Sequence, residues 1–350
     1  MLWSGEAAPQ HNTKLLAKHR RRFAVNEEGN MDVKATLLTK WQPTRSSHRI
    51  RDLLRQIWRY RMVYLILLPG LIYFATFRYG PLYLAQIAFK DFEPLLGVEG
   101  SPWVGLQNFV TFFHSYYFSQ LLANTLIIST AKLLFGLPPA IILAIALSEA
   151  RFLKLARLAQ TVSYLPHFLS WVVMFGVLIG LLSPSEGLVN QAIGKLGASP
   201  IAFLTDPNWF RSIIVSSDIW KETGWGAIIY LAALLSIDPA QYEAASIDGA
   251  SRWQRVWHIS IPGIKDVIVL VTLLRLGNIL DAGFNQIFVL YSLPVYSVGD
   301  IIDTWVYRQG ILNFQFSLAT AVGLFKGVIG LLLIVFANRI ARRFADSGLY

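Results

Sequence analysis

A group of charged and aromatic side chains lies inside an otherwise apolar segment, residues 213–235. Lys221 and Glu222 are flanked there by Trp220 and Trp225. Aromatic faces stack on the CH surfaces of sugar rings, while charged groups hydrogen-bond hydroxyls, so this grouping is suited to binding a polyhydroxylated molecule. Charge pairing between helices explains the same residues equally well.

A second polar group occurs in the apolar segment 267–290. Asn278, Asp281 and Asn285 follow one another at spacings of three and four residues. In a continuous helix these positions share one face. The spacing therefore predicts a polar stripe, and lining of a pathway is favoured over purely structural hydrogen bonding.

Lys326 is an isolated cation in the last apolar segment, between Gly323 and Gly327. A charge at membrane depth costs roughly 2.5–3.5 kcal/mol on insertion scales, so it is expected to face a bundle interior or a water-filled cavity. Together with Lys221 and Arg275 it is placed to attract an anionic sugar acid. The alternatives are snorkelling to the interface and pairing with an acid on a partner protein.

Motifs of catalysis are missing from the sequence. There is no Walker A run, no HExxH and no GxSxG elbow, the six histidines are scattered and cysteine is absent. We therefore predict that the chain is not an enzyme and has no catalytic residue, no metal site and no cofactor. A membrane-embedded sugar transferase would need paired acids or a metal site, and no such group is present.

The most specific stretch runs from Ser236 to Gly263. Asp238 suits the N-cap of a helix, Pro239 its first position, and Gln241 the return bond of a capping box. Gly249 is placed to end this helix about three turns later.

A second short helix is predicted from Ser251 to about Ile259, before Pro262. The two helices form a hairpin that is too short and too polar to span a membrane. On local pattern alone, a simple connection between two spans is a sufficient explanation.

Six apolar segments each reach the roughly 20 residues that cross a bilayer as a helix. The chain is 54% hydrophobic and only 15% charged, with a mean hydropathy of +0.47. We predict an all-α polytopic membrane protein with about six transmembrane helices and a cytoplasmic hairpin. The predicted spans are 62–83, 121–147, 162–182, 213–235, 267–290 and 318–337.

The distribution of cations predicts the sidedness. Lysine and arginine are concentrated near both termini and in the second-to-third and fourth-to-fifth connections. The positive-inside rule places both termini and the hairpin in the cytoplasm. The net charge of +10 is thus a topology signal, and membrane lipid rather than nucleic acid is the expected partner. The predicted domains are a basic tail with a surface helix (1–61), a membrane domain (62–343) with the hairpin (238–262), and a C-terminal tail (344–350).

The hairpin resembles a family signature: EAA, three residues, G, nine residues, I, one residue, LP. This is the signature of permease subunits of ATP-binding-cassette (ABC) importers, and Ile261 replaces its leucine by a conservative apolar exchange. The residues that carry the match are Glu243, Ala244, Ala245, Gly249, Ile259 and Pro262.

The resemblance extends from about Leu68 to Arg343 and points to the polysaccharide-type subgroup of maltose-like (type I) permeases. It departs from that group in its long basic tail. The further segments that carry it are residues 67–70, 87–92, 103–109, 124–126, 220–221 and 303–308.

The resemblance implies that the hairpin is a coupling helix, which docks in a groove of an ATPase. Glu243 would make a polar or ionic contact with it, Gly249 would permit the tight turn, and Pro262 would end the docking element. Ala244, Ala245, Asp248 and Ile259 complete that element.

The resemblance also implies a set of partners in a bacterial inner membrane. These are a second homologous permease, two cytoplasmic ATPase subunits and a periplasmic or extracellular sugar-binding protein. The substrate would be an oligo- or polysaccharide, including an acidic one such as alginate, moved by alternating access. An ion-coupled secondary transporter is the alternative; it predicts inverted repeats and a midplane carboxylate and leaves the hairpin unexplained.

Overall fold

The computed structural model describes residues 55 and 58–344. The predicted basic tail, most of the surface helix and residues 345–350 lie outside this part of the chain. Within this part the secondary structure is helical, apart from an isolated antiparallel β-bridge between Lys90 and Trp103. The expectation of an all-α protein is confirmed for the described residues.

The contacts divide the chain into two units, Met1–Ala75 and Thr76–Tyr350. Helix α1 belongs to the first unit and the other α-helices to the second. The α-helices are α1 Arg61–Phe74, α2 Gly97–Gly100, α3 Gln107–Phe113, α4 Phe118–Ser148, α5 Leu153–Tyr164, α6 Trp171–Leu182, α7 Leu188–Lys195, α8 Pro207–Leu235, α9 Pro239–Ile247, α10 Arg252–Arg255, α11 Ile261–Gly263, α12 Lys265–Gly277, α13 Phe284–Leu290, α14 Tyr296–Gly299, α15 Ile302–Tyr307 and α16 Phe316–Phe344.

Shorter helical turns of other types adjoin these elements. The 3₁₀ segments are Gly80–Phe89, Leu165–Phe168 and Leu293–Val295, and the π-helical segments are Ala75–Tyr79, Val256–Ser260 and Arg308–Leu312.

Length and composition identify three candidate membrane spans among the described residues: Arg61–Phe89, Phe118–Ser148 and Phe316–Arg339. Two bent pairs raise this to as many as five, with bends of 108° at the α5–α6 break and 72° between α8 and α9. The predicted number of about six is not reproduced by this count. The difference lies in the segment 267–290, which is divided between α12 and α13.

Two predicted spans are therefore not continuous helices. The segment 162–182 breaks at Leu169, and Ser170 caps α6 by accepting the N–H of Val173. In the segment 267–290, α12 ends at Gly277 and α13 begins only after Gly283, whose φ of +92° is left-handed. Glycine adopts this conformation without the strain that a Cβ would add.

Helices α4 and α8 pack closely along their length. Ala140, Ala144, Ala227 and Tyr230 are fully buried at one end of this contact. Small side chains let two helix backbones approach each other, as is common in membrane bundles.

A partly buried ion pair stabilises the connection between α13 and α16. Arg308 donates from Nη1 and Nη2 to the two carboxylate oxygens of Asp300, at 2.8 and 2.5 Å. Burial opposes the charge on Arg308, but the hydrogen bond and charge of Asp300 outweigh it and raise the pKa of the guanidinium. Asn124 of α4 donates to the Asp300 carbonyl at 2.9 Å. This network holds the α13–α16 connection against α4.

Candidate binding cavities and the exposed hairpin

A cavity of about 490 Å³ lies between α4, α8, α12 and the α12–α13 connection. We call it the first cavity. Its volume is in the range of small-molecule sites, and polar groups converge on it among apolar ones. Its polar side chains belong to Ser129, Lys132, Asp218, Glu222, Arg275, Asn278 and Asp281.

Lys132 links three elements at one side of this cavity. Its Nζ lies 3.1 Å from Asp218 Oδ1 and donates to the Ala282 carbonyl at 2.9 Å. It also donates to Oε1 of Gln286, whose Nε2 donates to the Ile214 carbonyl at 2.7 Å. The lysine thus joins α4 to α8 and to the broken segment before α13.

Lys132 and Asp218 were not predicted as site residues from the sequence. Both stand inside predicted spans, 121–147 and 213–235, where a charge at membrane depth is itself the signal that could have identified them. Their pairing is not visible in local spacing because it joins two helices.

Lys221 does not line the first cavity. Its side chain is buried, and Nζ donates to the carbonyl of His167 and, at 3.3 Å, to that of Pro166. The same atom lies 3.7 Å from Glu222 Oε1. A lysine that satisfies the last carbonyls of a helical segment stabilises its end, so Lys221 supports the α5–α6 break.

Glu222 and Trp225 form a cluster with His167. Nδ1 of His167 lies 2.9 Å from Glu222 Oε2, and the imidazole stacks on the Trp225 ring at 4.5 Å between centroids. Glu222 also lines the first cavity, whereas Trp220 is exposed and does not. The four residues grouped in sequence thus separate into a structural lysine, one cavity residue and two partly exposed aromatics.

The prediction that Asn278, Asp281 and Asn285 share one face of a helix is wrong. Asn278 is the C-cap of α12, Asp281 lies in the connection, and Asn285 is in α13. The physical reason is the chain break, where Asp281 Oδ1 accepts the N–H of Gly283 at 3.1 Å. Asn278 and Asp281 nevertheless line the first cavity, whereas Asn285 does not.

Arg275 is the cavity cation that has no carboxylate within ion-pair distance among the described residues. Its guanidinium lies between glycines of two helices. A Cβ at Gly136 would stand 3.4 Å from Nη1, and one at Gly226 would stand 3.5 Å from Nη2. The glycines therefore leave space for the guanidinium of Arg275, a residue that lines the first cavity.

Lys326 is paired within its own chain. Its Nζ donates to both carboxylate oxygens of Asp303 at 2.7 Å. The pair lines a second cavity of about 590 Å³, which Asp281 also lines. The alternatives for Lys326 were snorkelling and pairing with an acid on a partner protein. The structure shows pairing, but with an acid of the same chain.

The hairpin begins and turns where the sequence predicted. Asp238 caps α9, accepting from Ala240 N–H rather than forming the box expected with Gln241. Gly249 has a φ of +77°, and Ala250 N–H bonds to the Ala245 carbonyl at 2.9 Å. This is the Schellman arrangement that ends helices at glycine.

The second half of the hairpin differs from the prediction. A capping box joins Ser251 and Gln254 at the start of α10, and the helix then continues through a π-helical segment into α11. The helical run ends at Gly263, one residue after Pro262, rather than at Ile259.

Contacts between its halves hold the hairpin together. Tyr242 OH lies 3.0 Å from Ser260 Oγ, and Arg255 donates to Ser246 Oγ at 3.0 Å. At its base the Ile237 side chain packs directly on Gly263. The hairpin is therefore one folded element rather than a loose connection.

The residues of the predicted coupling element are mostly exposed. The exposed members are Glu243, Ala244, Asp248, Gly249 and Pro262, and the half-buried members are Ala245 and Ile259. The hairpin also exposes the apolar side chains of Ile247 and Trp253. Such a surface, polar and apolar together, is typical of a docking element.

This combination of a bundle with broken helices, charged internal cavities and an exposed hairpin corresponds to a known class. The profile described as "Binding-protein-dependent transport system inner membrane component" matches residues 136–347. The chain belongs to this family of inner membrane transport components.

Individual relatives agree with this assignment. The chain is 45% identical over 292 residues to Protein LplB of Bacillus subtilis, covering 83% of this chain and 92% of the relative. It is 42% identical over 300 residues to the polygalacturonan/rhamnogalacturonan transport system permease protein YteP of the same organism, covering 86% and 94%.

A solved structure shows the same fold. It is a chain of a bacterial ABC transporter involved in the import of the acidic polysaccharide alginate, matched with a TM-score of 0.78 at 41% identity, covering 84% of this chain and 99% of that one.

Proposed function

We propose that this chain is the permease of an ABC importer that moves an oligo- or polysaccharide into the cytoplasm by alternating access. The relatives that are similar over most of their length include a permease of a polygalacturonan/rhamnogalacturonan transport system and a chain of an ABC transporter involved in alginate import. A similar transporter has been solved with a periplasmic protein that holds an alginate pentasaccharide. A second permease, two cytoplasmic ATPases and an external binding protein complete the assembly, with both termini in the cytoplasm.

The observation that carries the proposal is the position of the hairpin. It joins the end of α8 directly to the start of α12, and both helices line the first cavity. A force applied at Glu243 therefore reaches the helices that carry Asp218 and Arg275 through one folded element. The exposed signature residues dock in the ATPase, and the cavity is part of the pathway.

We assign recognition of an acidic sugar to Arg275. Three lysines that share its membrane environment are neutralised within the chain: Lys132 by Asp218, Lys221 by carbonyls and Glu222, and Lys326 by Asp303. A guanidinium binds a carboxylate with two parallel hydrogen bonds. The first cavity thus keeps one cation for the uronate group. Its carboxylates accept hydrogen bonds from the sugar hydroxyls, and the amide of Asn278 can accept or donate them.

Transport by the complete complex in proteoliposomes tests both parts. We expect ATP-dependent uptake of oligogalacturonate or alginate oligosaccharide when the external binding protein is present. Arg275→Gln should raise the KM for these acids by about tenfold, the effect of losing roughly 1.4 kcal/mol of binding, while Arg275→Lys should retain part of the affinity. Uptake that needs an ion gradient but no ATP would contradict the importer function. An Arg275→Gln complex with unchanged KM would contradict the assignment of acid recognition to Arg275.

A further inference from the structure

The second cavity shares one lining residue, Asp281, with the first cavity. It lies between the α12–α13 connection, α15 with its π-helical continuation, and α16. Asp281 lines both cavities, so the two spaces adjoin at this residue. A ligand long enough to pass Asp281 would contact both.

The chemistry of the second cavity includes a fixed donor and acceptor pair. Lys326 is held by both oxygens of Asp303 at 2.7 Å, which leaves the third ammonium N–H and the remaining carboxylate lone pairs for other partners. A charge inside an apolar helix, such as Lys326 in α16, is costly to retain, and charges at such positions commonly mark substrate pathways.

Aromatic rings also line the second cavity. Tyr307 packs against Phe288 at 4.8 Å and against Phe284 at 5.9 Å between centroids, and Tyr307, Phe284 and Phe316 line the space. Rings fixed by their neighbours offer apolar faces at low entropic cost. Rigid rings together with paired charges are the groups that hold a sugar unit by its CH surface and its hydroxyls.

We propose that the second cavity is a subsite for a further sugar unit of the same chain that occupies the first cavity. The inference rests on the proposed function, because it takes the first cavity to hold a sugar. Occupation of both spaces makes the permease selective for oligosaccharides over mono- and disaccharides. Asp281 lies at the junction and contacts the sugar units on either side.

The test fills the second cavity and leaves the first unchanged. Thr320 lines the second cavity, and its hydroxyl bonds only to the Phe316 carbonyl of its own helix at 2.7 Å, so Thr320→Phe adds a ring without removing a contact between elements. Val328 is 56% exposed on the same helix and does not line this cavity. Val328→Phe is the matched control.

The measurement is ATP-dependent uptake of an oligogalacturonate series, from dimer to pentamer, by the complete complex. We expect Thr320→Phe to raise the KM for the tetramer and pentamer by about tenfold and to leave the dimer nearly unchanged, with Val328→Phe like wild type at every length. Tyr307→Leu, which removes the ring without filling the space, should show the same dependence on length and serves if Thr320→Phe does not assemble.

The outcomes separate the two proposals. A wild-type complex that transports no member of the series would remove the proposed function and this inference together. Normal wild-type uptake, with Thr320→Phe and Tyr307→Leu changing all lengths equally or none, would overturn the second subsite alone.

Discussion

The internal charges of this protein differ in how completely their neighbours compensate them. Lys132, Lys221 and Lys326 are each bound by a carboxylate or by carbonyl oxygens, whereas Arg275 has no carboxylate at ion-pair distance among the described residues. A charge in an apolar environment costs less when it is paired and hydrogen-bonded. The lysines therefore stabilise the helix arrangement, and Arg275 retains its capacity to bind an external group.

Removing the charge of Lys132 should destabilise the bundle. Lys132→Met leaves Asp218 without its cation and removes the donor to the Ala282 carbonyl. Asp218 is partly exposed, so we expect a loss between the ~1 kcal/mol of exposed pairs and the ~3 kcal/mol of buried ones. The thermal midpoint of the detergent-solubilised complex should fall.

A double variant provides the control for this prediction. Lys132→Met with Asp218→Leu removes both charges and should recover part of the lost stability, because no carboxylate is then left unpaired. If the double variant were no more stable than Lys132→Met alone, the ion pair would not be the source of the effect.

At the scale of elements, the close contact of α8 with the end of α5 depends on a glycine, Gly224. A Cβ at Gly224 would lie 2.0 Å from the Ser163 carbonyl oxygen, which is backbone and cannot turn away. Overpacking of this kind typically costs 1–3 kcal/mol. This contact fixes the segment of α8 that carries Asp218 and Glu222 relative to the α5–α6 break.

Gly224→Ala should therefore reduce the amount of folded protein in the membrane and lower its thermal midpoint by several degrees. Gly176→Ala in α6 is the matched control, since a Cβ there meets nothing within 4 Å. Equal effects of the two substitutions, measured by fluorescence-detected gel filtration and thermal denaturation, would show that the α8–α5 contact is not tight.

The sequence predicts some of these elements better than others for physical reasons. The hairpin start at Asp238 and its turn at Gly249 depend on local capping chemistry, which a single sequence reveals. The breaks at Leu169 and at 278–283 are not visible in hydropathy, because apolar residues continue on both sides of each break. Lys132 and Asp218 were missed for a related reason, since their contact joins distant helices.

For the molecule as a whole, the hairpin connects its own exposed surface with the helices that line the first cavity. It is closed at its base by Ile237 on Gly263 and across its middle by Tyr242 with Ser260. A rigid connector of this kind transmits displacement between packed elements that have two arrangements. Under the proposed function, ATP hydrolysis at a partner subunit reorients α8 and α12, which line the first cavity.

The most direct measurement of this account is substrate-stimulated ATP hydrolysis by the complete complex carrying Glu243→Lys. Glu243 is exposed on α9, and a reversed charge there should abolish both association of the ATPase and stimulation of its activity, while the chain remains folded in the membrane. Glu186→Lys, which reverses an equally exposed acid outside the hairpin, should behave like wild type. Retained association and stimulation in Glu243→Lys would contradict the role of the hairpin as the coupling element.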